Sequence, residues 1–536
     1  MGPSTVEDQS RHRDQERSQE DVGGPRSLRW AGGSPRLRQR QSWPGHSFKL
    51  EKITDERTAL AARLRCYTEV SSACLAATLE AICSVAPIVV GGNHCICPRL
   101  REDCYPGSQL CSAHRIAEDQ EEQNKCRAPK GPSAYIPLSQ LPGPPLSDNI
   151  AAVMSLHPEY LQIFWKTQHF LLRMDGALSL PERHYLAIMA AARHRCVYLV
   201  SLHSASFLQV GGDPKWLEGL ASAPLKLRRL NDLNQLLAHR PWLISKEHIQ
   251  TLLKFQEGHF WSLAEVMQAL VLLTHFHALS SFILGCGIYP PQWKAESSRP
   301  PSPDFSVNEG LCTPQEAERV LAEIKRLDEE EQEATREEME TRFEREKREC
   351  IMVNSNNETA QSAWSPGILC FLEDPDFGYI DFTRRGEQAP PTLHAHDFTW
   401  ENHGYSLLQR VFPEIGQLLD DKFQLAYNLT YHTIASHRGV DTFKLRRAIW
   451  NYIHCIYGIR HDDYNYGEVN QLLERSLKLY MKTVTCHPQK VTRLLYNNFW
   501  QEFRHSEKVH LNLLLLEARL QAALLYGLRA ITRYMT

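Results

Sequence analysis

The sequence has no strong excess of either charge and no uninterrupted apolar run of membrane-spanning length. Its 60 Lys and Arg residues nearly balance 63 Asp and Glu residues, which gives a net charge of −3. Nothing in this balance indicates a nucleic-acid partner. The most apolar stretch, VHLNLLLLEARLQAALLYGL, is interrupted by Glu517 and Arg519, and this argues against a membrane span.

The beginning of the sequence also lacks the apolar core of a signal peptide. Val6 stands where a myristoylation signal needs Ser or Thr. We therefore expect a cytoplasmic protein, with the nucleus as a second compartment. In those compartments the 15 cysteines should mostly be free thiols.

Paired C-x2-C motifs are absent from the cysteine-rich first part of the chain. Cys95, Cys97, Cys104 and Cys111 lie close together, but their spacing differs from that of a zinc site. Residues 1–130 change composition repeatedly and carry many Gly, Pro, Arg and Ser residues, which is typical of disordered segments. We predict a mostly disordered, cysteine-containing leader and neither a metal nor another cofactor.

Alternating strand patterns are absent from residues 131–290, where apolar residues recur instead at helical spacing. The segment WSLAEVMQALVLLTHFHALSSFILGCG is apolar on nearly every face, which predicts a helix at the centre of a core. A second helix-patterned region begins near residue 396. We therefore predict an all-α protein with two helical-bundle domains, at 131–290 and 396–536.

Residues 291–395, between the two predicted bundles, are predicted to be a partly disordered linker that begins with a Pro- and Ser-rich stretch. A charged helix is predicted over 313–350, because Thr313, Pro314 and Glu316 form a capping box with Pro at the first helical position. Its apolar stripe is short and consists of Val320, Ile324 and Leu327. We interpret it as a solvated connecting helix of which only the first half needs to pack.

The stretch AARHRCVYLVSLH places Cys196, Tyr198 and His203 in one apolar segment. Arg193 and Arg195 could supply the positive charge that lowers a thiol pKa, whereas apolar burial would raise it. On a straight helix Cys196 and His203 lie about 10 Å apart along the axis, so a proton would travel through Tyr198, water or a break in the helix. These residues leave two interpretations open: a buried structural cysteine, and a redox cysteine that lacks a partner thiol.

Several long stretches of the sequence resemble the sestrin family. Among them are HPEYLQIFWKTQHFLL, RHYLAIMAAARHRC, LRRAIWNYIHCIYGIRHDDYNYGEVNQLLER and FRHSEKVHLNLLLLEARLQAALLYGLRAITRYMT. The similarity extends from about 131 to 536 and is nearest the leucine-sensing type of the family. It implies that each bundle is related to the AhpD-like alkylhydroperoxidase fold. It also implies that Cys196 reduces peroxide, with Tyr198 and His203 relaying protons and an external reductant restoring the thiol.

The resemblance further implies a leucine pocket in the second bundle. Arg446 would bind the leucine carboxylate through a forked contact, and Glu507 would hold the ammonium group. Phe443 departs from the family pattern, in which we expect a small polar residue at this position. Leu445 and Trp500 would shape the apolar side-chain pocket. The lid and lock that close over leucine would be formed by Thr430, Tyr431, Thr433 and Thr442.

A third implied site is the acidic pair Asp462 and Asp463, which matches the residues that sestrins use to bind the GATOR complex. A solvated loop and a calcium loop are the alternative interpretations, but the spacing of a calcium loop is not met. His461 and Asn465 replace the Tyr and Asp expected from the family, so the patch is less acidic than usual.

Taken with the resemblance, these features predict a stress-inducible intracellular leucine sensor. Without leucine it would bind the GATOR complex and so restrain TOR kinase complex 1 signalling, with an added antioxidant role. Expected partners are L-leucine, the GATOR complex, Rag GTPases and other stress-signalling proteins, and the protein is expected to be a monomer. The alternatives are an alkyl hydroperoxide reductase using a Cys–Tyr–His relay, and a scaffold that has lost both sites.

Overall fold

The computed structural model describes residues 131–142, 148–254, 261–290, 316–329, 334–352, 366–381, 385, 393–395 and 398–536. The predicted leader over 1–130 therefore lies outside the described residues, as do its clustered cysteines. All of the described residues belong to one compact unit. They are mostly helical, which confirms the predicted all-α class.

Short loops separate most of the helices, and Pro, Gly or a capping residue interrupts many of the helical patterns. The α-helices before residue 300 are α1 Asn149–Met154, α2 Pro158–Arg173, α3 Leu180–Arg193, α4 Val197–Gln209, α5 Leu225–Arg229, α6 Asn231–His239, α7 Lys246–Leu253 and α8 Leu263–Gly285. Those after it are α9 Glu316–Glu329, α10 Arg336–Met352, α11 Pro366–Leu369, α12 Ser406–Val411, α13 Pro413–Asn428, α14 Phe443–Ile456, α15 Gly467–Leu472, α16 Arg475–Cys486, α17 Arg493–Asn497 and α18 His505–Met535.

The shorter elements connect these helices. The 3-10 turns are Leu138–Gln140, Pro214–Glu218, Leu220–Ser222, Pro241–Leu243 and Pro488–Lys490, and Trp400–Tyr405 is a π-helical turn. The strands are β1 Leu393–His394, β2 Thr433–Ile434, β3 His437–Arg438 and β4 Ile459–Arg460. Strand β1 pairs with β4 in parallel, and β2 pairs with β3 as a small antiparallel hairpin.

The core is organised around the two longest apolar helices, α8 with 23 residues and α18 with 31. Gly285 packs against Asn512, and Gly527 packs against Leu270, so the two helices run antiparallel. A Cβ atom at Gly285 would overlap Asn512 Oδ1 and lie 3.1 Å from Val484 Cγ1, so a larger residue would require these side chains to shift. Both helices have the length and composition of a membrane span, but their most apolar stretches are entirely buried inside the protein.

The α8–α18 contact joins helices of both predicted bundles into one core. The boundaries at 290 and 396, and the relation of each bundle to the AhpD-like fold, stay predictions. Glu517 and Arg519, which interrupt the apolar pattern of α18, are fully buried rather than solvated. Glu517 pairs with Lys422 at 3.1 Å, and Arg519 donates to the Ala238 carbonyl at 3.0 Å.

The charged segment differs from the prediction, because it forms two helices, α9 and α10, instead of one. Its second half also packs, and the interpretation that only the first half needs to pack is wrong. Phe343, Glu346 and Cys350 lie on one face of α10 and are buried. Glu346 can be buried because Lys478 pairs with it at 3.1 Å. Thr313 and Pro314 of the predicted capping box lie outside the described residues.

Candidate functional site

One cavity lies between the first turns of α14 and α18, within the second predicted bundle. It encloses about 330 Å³ of space, including the solvent at its mouth. Its walls are formed by Thr430, Thr433, Ile434, Thr442, Leu445, Arg446, Ile449, Trp500, Phe503, Glu507, His510, Leu511 and Leu514.

Arg446 places a buried guanidinium group at one end of this cavity. Its Nε donates to Thr442 Oγ1 at 3.2 Å, and its Nη1 donates to the Tyr427 carbonyl at 2.6 Å and to Asn428 Oδ1 at 3.0 Å. Its Nη2 has no hydrogen-bond partner within the described part of the chain. Burial lowers the pKa of Arg446. The group therefore has an unused donor that a buried acceptor could bind.

The ring of Tyr431 lies over the same guanidinium group, with its centroid 4.5 Å from the Arg446 Cζ atom. The centroid of the Tyr427 ring lies 4.9 Å from the same Cζ atom. Cation–π contacts of this kind stabilise a partly desolvated arginine. They also fix the plane of the guanidinium group before any ligand is present.

Glu507 lies in the first turn of α18 and is also buried. Its carboxylate accepts hydrogen bonds from the Ala435 amide at 3.0 and 3.2 Å and from the Arg504 amide at 2.9 Å. Burial raises the pKa of Glu507, and these amides oppose the increase. Within the described residues, the hydrogen bonds of Arg446 and Glu507 all go to other groups, so the two charges line one cavity without pairing with each other.

The hairpin β2–β3 and the turn before it cover the cavity. Thr430 Oγ1 forms a short hydrogen bond with His510 Nδ1, and His510 Nε2 bonds to the Ala426 carbonyl at 2.6 Å. Thr433 Oγ1 donates to the Thr430 carbonyl at 3.2 Å. Burial lowers the pKa of His510 to about 3, so this ring stays neutral and can keep accepting from Thr430.

Seven of the eight residues that the resemblance placed in the pocket line this cavity. The eighth, Tyr431, is 39% exposed and contacts Arg446 from outside the lining. Sequence reasoning missed six lining residues, although helical spacing from Leu445 and Glu507 could have found most of them. These are Ile434, Ile449, Phe503, His510, Leu511 and Leu514.

Phe443, the departure from the family pattern, is half-buried and is not part of the lining. Its ring lies 6.1 Å from that of Tyr427 and 5.0 Å from the Arg447 guanidinium. Its amide donates to Asp441 Oδ1 at 2.8 Å, which caps the start of α14. The aromatic ring is therefore accommodated beside the pocket and does not fill it.

The segment around Cys196 is not one straight helix, because the helical backbone is interrupted just before the cysteine. Helix α3 ends at Arg193 and α4 begins at Val197, because Arg195 has a left-handed backbone with φ of 55°. Cys196 is the capping residue of α4, and its thiol is fully buried beside Ser280. Burial raises the pKa of the Cys196 thiol to about 12, although contacts with Ser280 and nearby amides oppose the increase.

The two residues of the expected relay are engaged elsewhere. Tyr198 donates to Asp148 Oδ1 at 2.8 Å, and a 3.0 Å hydrogen bond joins His203 Nδ1 to His184 Nδ1. Burial lowers the pKa of His203 well below its usual value. Among the described residues, the hydrogen bonds of Tyr198 and His203 do not connect either one to Cys196.

The acidic pair Asp462 and Asp463 lies in the loop after β4. Asp463 is exposed, whereas Asp462 is half-buried and forms a short hydrogen bond with His394 Nδ1. Of the two departures, His461 bonds to the buried His454 at 3.2 Å, and Asn465 accepts from the Gly467 amide at 2.9 Å within the loop. The exposed carboxylate of Asp463 therefore lies in a loop that these contacts hold in place.

No group of three or more His, Cys, Asp or Glu side chains that could hold a metal ion occurs among the residues the structure describes. The cavity is instead lined by apolar side chains, with one cationic and one anionic group. These features define a helical protein with a largely apolar cavity that contains one cationic and one anionic side chain.

Comparison with known proteins agrees with the resemblance read from the sequence. A family model described as PA26 p53-induced protein (sestrin) matches residues 143–535. Sestrin-2 of Homo sapiens is 57% identical over 452 residues, which cover 78% of this chain and 94% of that protein. Sestrin-1 of Xenopus laevis is 52% identical, covering 73% and 85%, and Sestrin-3 of Mus musculus is 47% identical, covering 80% and 97%. The chain belongs to the sestrin family and is nearest the Sestrin-2 type, as predicted.

Proposed function

We propose that this protein is an intracellular leucine sensor and that the cavity between α14 and α18 is its leucine site. The observation that carries the proposal is the unpaired Nη2 of Arg446 in the same cavity as the buried carboxylate of Glu507. A free amino acid is a zwitterion, and its burial is favourable only if both charges are paired. A cation and an anion in one apolar cavity meet that requirement.

The apolar part of the cavity supports leucine as the amino acid. Leu445, Ile449, Leu511 and Leu514 line it, together with the rings of Trp500 and Phe503. A charged or strongly polar side chain would lose hydrogen bonds to water without finding partners there. Discrimination against isoleucine would come from the shape of this wall, since one misplaced methyl group changes binding by about 1–3 kcal/mol.

Leucine is proposed to regulate a partner through this site. In its absence the protein would bind the GATOR complex through Asp462 and Asp463 and restrain TOR kinase complex 1 signalling. Leucine would favour a closed state of the lid around Thr430 and Thr433 and release the partner, which requires unequal affinity for the two states. Rag GTPases and other stress-signalling proteins are further proposed partners, and the cytoplasm, with the nucleus, is the proposed location.

Thermal melting of the intact protein with leucine and with isoleucine tests the proposal. A ligand at one hundred times its dissociation constant stabilises the folded state by about 2.7 kcal/mol, so leucine should raise the melting temperature more than isoleucine. Arg446→Ala should abolish the increase. Absence of any leucine effect on the intact protein would reject the sensor. Leucine-dependent capture of the GATOR complex then tests the regulatory step.

A second candidate is weak reduction of alkyl hydroperoxides by Cys196, and with it an antioxidant role. The thiol stands at the amino-terminal cap of α4, where nearby amides oppose the increase in its pKa that burial causes, and this position supports the activity. The reaction would convert the thiol and a hydroperoxide into a sulfenic acid and an alcohol. Two external thiols would restore Cys196: the first forms a mixed disulfide and releases water, and the second reduces that disulfide. Complete burial of the sulfur opposes it.

A further inference from the structure

Helix α9, which the sequence places in the linker, contacts the loop that carries Trp500. The carboxylate of Glu316 accepts the Trp500 amide at 3.2 Å and the Gln501 amide at 3.1 Å. In return, the Glu502 carboxylate accepts the Ala317 amide at 3.2 Å, at the start of α9. Each segment therefore satisfies backbone donors that the other leaves free, and the two are fixed to each other.

The other end of α9 contacts the opposite wall of the cavity. Lys444, in the first turn of α14, donates to the Leu327 carbonyl at 2.8 Å and pairs with Asp328 at 2.7 Å. A cation at this position also interacts favourably with the carboxyl end of a helix. Lys444 stands two residues before Arg446, so α9 is attached to the helix turn that presents the guanidinium group.

The body of α9 is held between these two ends. Ala317, Val320, Ile324 and Leu327 are buried and form one stripe, which packs against α15. A helix of its 14 residues spans about 21 Å. The apolar stripe and the polar contacts at both ends together make α9 a rigid connection between the two walls.

The backbone at Trp500 needs such support. Trp500 has a φ of 47°, a left-handed conformation that is unfavourable for a residue with a large side chain. Conformations of this kind persist only when their surroundings hold them. The indole ring is buried, stacks on Phe503 at 4.3 Å and lines the cavity. Glu316 binds the amide of this very residue, and so it stabilises the backbone that presents the indole.

We infer that α9 is a bridging helix of the ligand site, with Glu316 and Lys444 as positioning residues for the Trp500 loop and for the first turn of α14. The inference rests on the proposed function for the identity of the ligand. The mechanical part, that α9 holds the two walls at a fixed separation, is independent of that identity.

Hydrogen exchange of the whole chain without leucine tests the mechanical part. In Glu316→Ala, the amides of residues 499–503 should exchange at least tenfold faster than in the unaltered protein, because the Trp500 and Gln501 amides lose their acceptor and the loop loses its attachment to α9. Glu323→Ala is the matched control, since Glu323 lies on α9 and, among the residues that the structure describes, pairs within that helix, with Arg326 at 2.5 Å. Equal exchange at 499–503 in Glu316→Ala and the control would overturn the inference, whatever the protein binds.

Leucine titration by calorimetry tests the link to the site. Glu316→Gln keeps one acceptor oxygen and should bind leucine more weakly by a few fold, whereas Glu316→Ala and Lys444→Met should each weaken it about tenfold. Unaltered leucine affinity in a variant whose loop exchanges faster would overturn the positioning role. If the unaltered protein binds no leucine, the proposed function fails, and the exchange experiment still decides whether α9 holds the walls.

Discussion

Replacement of Glu507 by Gln would test the charge requirement of the cavity with almost no change in shape. The amide oxygen of Gln can still accept one of the backbone hydrogen bonds that now come from Ala435 and Arg504. The charge that would pair with the leucine ammonium is lost. Removal of one partner from a buried charged pair costs about 2–5 kcal/mol.

At about 1.4 kcal/mol for each factor of ten, leucine should bind Glu507→Gln about 30-fold to several thousand-fold more weakly. The folded state should lose only about 1 kcal/mol, the usual value of a helix cap. Calorimetric titration measures the affinity, and thermal melting without ligand checks the fold. Asp421→Asn is the control, because that carboxylate is exposed on α13 and, within the described ranges, accepts a hydrogen bond from Gln417 on the same helix. Equal leucine affinity in Glu507→Gln and the unaltered protein would refute the assignment.

Four further outcomes are expected. Because burial raises the pKa of Glu507 above the ordinary carboxyl range, leucine affinity should fall as the pH is lowered from neutral through that raised pKa, and calorimetry should find no such fall in Glu507→Gln. Asp462→Ala with Asp463→Ala should abolish capture of the GATOR complex while leucine binding stays within twofold; retained capture would contradict the proposed surface. Cys196→Ser should remove any peroxide consumption, and equal rates would reject the peroxidase. Gly285→Ala should destabilise the fold by about 1–3 kcal/mol through overpacking, as measured by chemical denaturation, and an unchanged midpoint would contradict the close α8–α18 packing.

The sequence was sufficient to predict the helical class and the central position of α8, because apolar residues on every face leave only burial as a stable environment. It was misleading at Arg195, where the apolar pattern continues although the backbone turns. The sequence also underestimated how far α10 packs against the core. Glu346 has the character of a solvent-exposed residue in the sequence, and only the structure places Lys478 beside it. Pairings between residues more than a hundred positions apart are set by packing and have no local signal.

In the pocket, too, contacts along one helix can be predicted from the sequence, whereas contacts between distant segments cannot. Spacing along α14 and α18 suffices to place Leu445 beside Ile449, and Glu507 beside Leu511 and Leu514. The bond between Thr430 and His510 could not be inferred, because it joins a turn to a helix 80 residues later. The contact between Glu316 and the Trp500 amide is likewise invisible in a segment that reads as charged and solvent-exposed.

The antiparallel contact between α8 and α18 has a practical consequence for dividing this protein. A fragment that stops at residue 290 would leave the α8 surface around Leu270 uncovered, and one that starts at 396 would do the same for α18 around Gly527. Large uncovered apolar surfaces cause aggregation. Work on either half in isolation would therefore need the other half supplied as a separate chain, and co-expression of the two pieces should restore solubility where each piece alone precipitates.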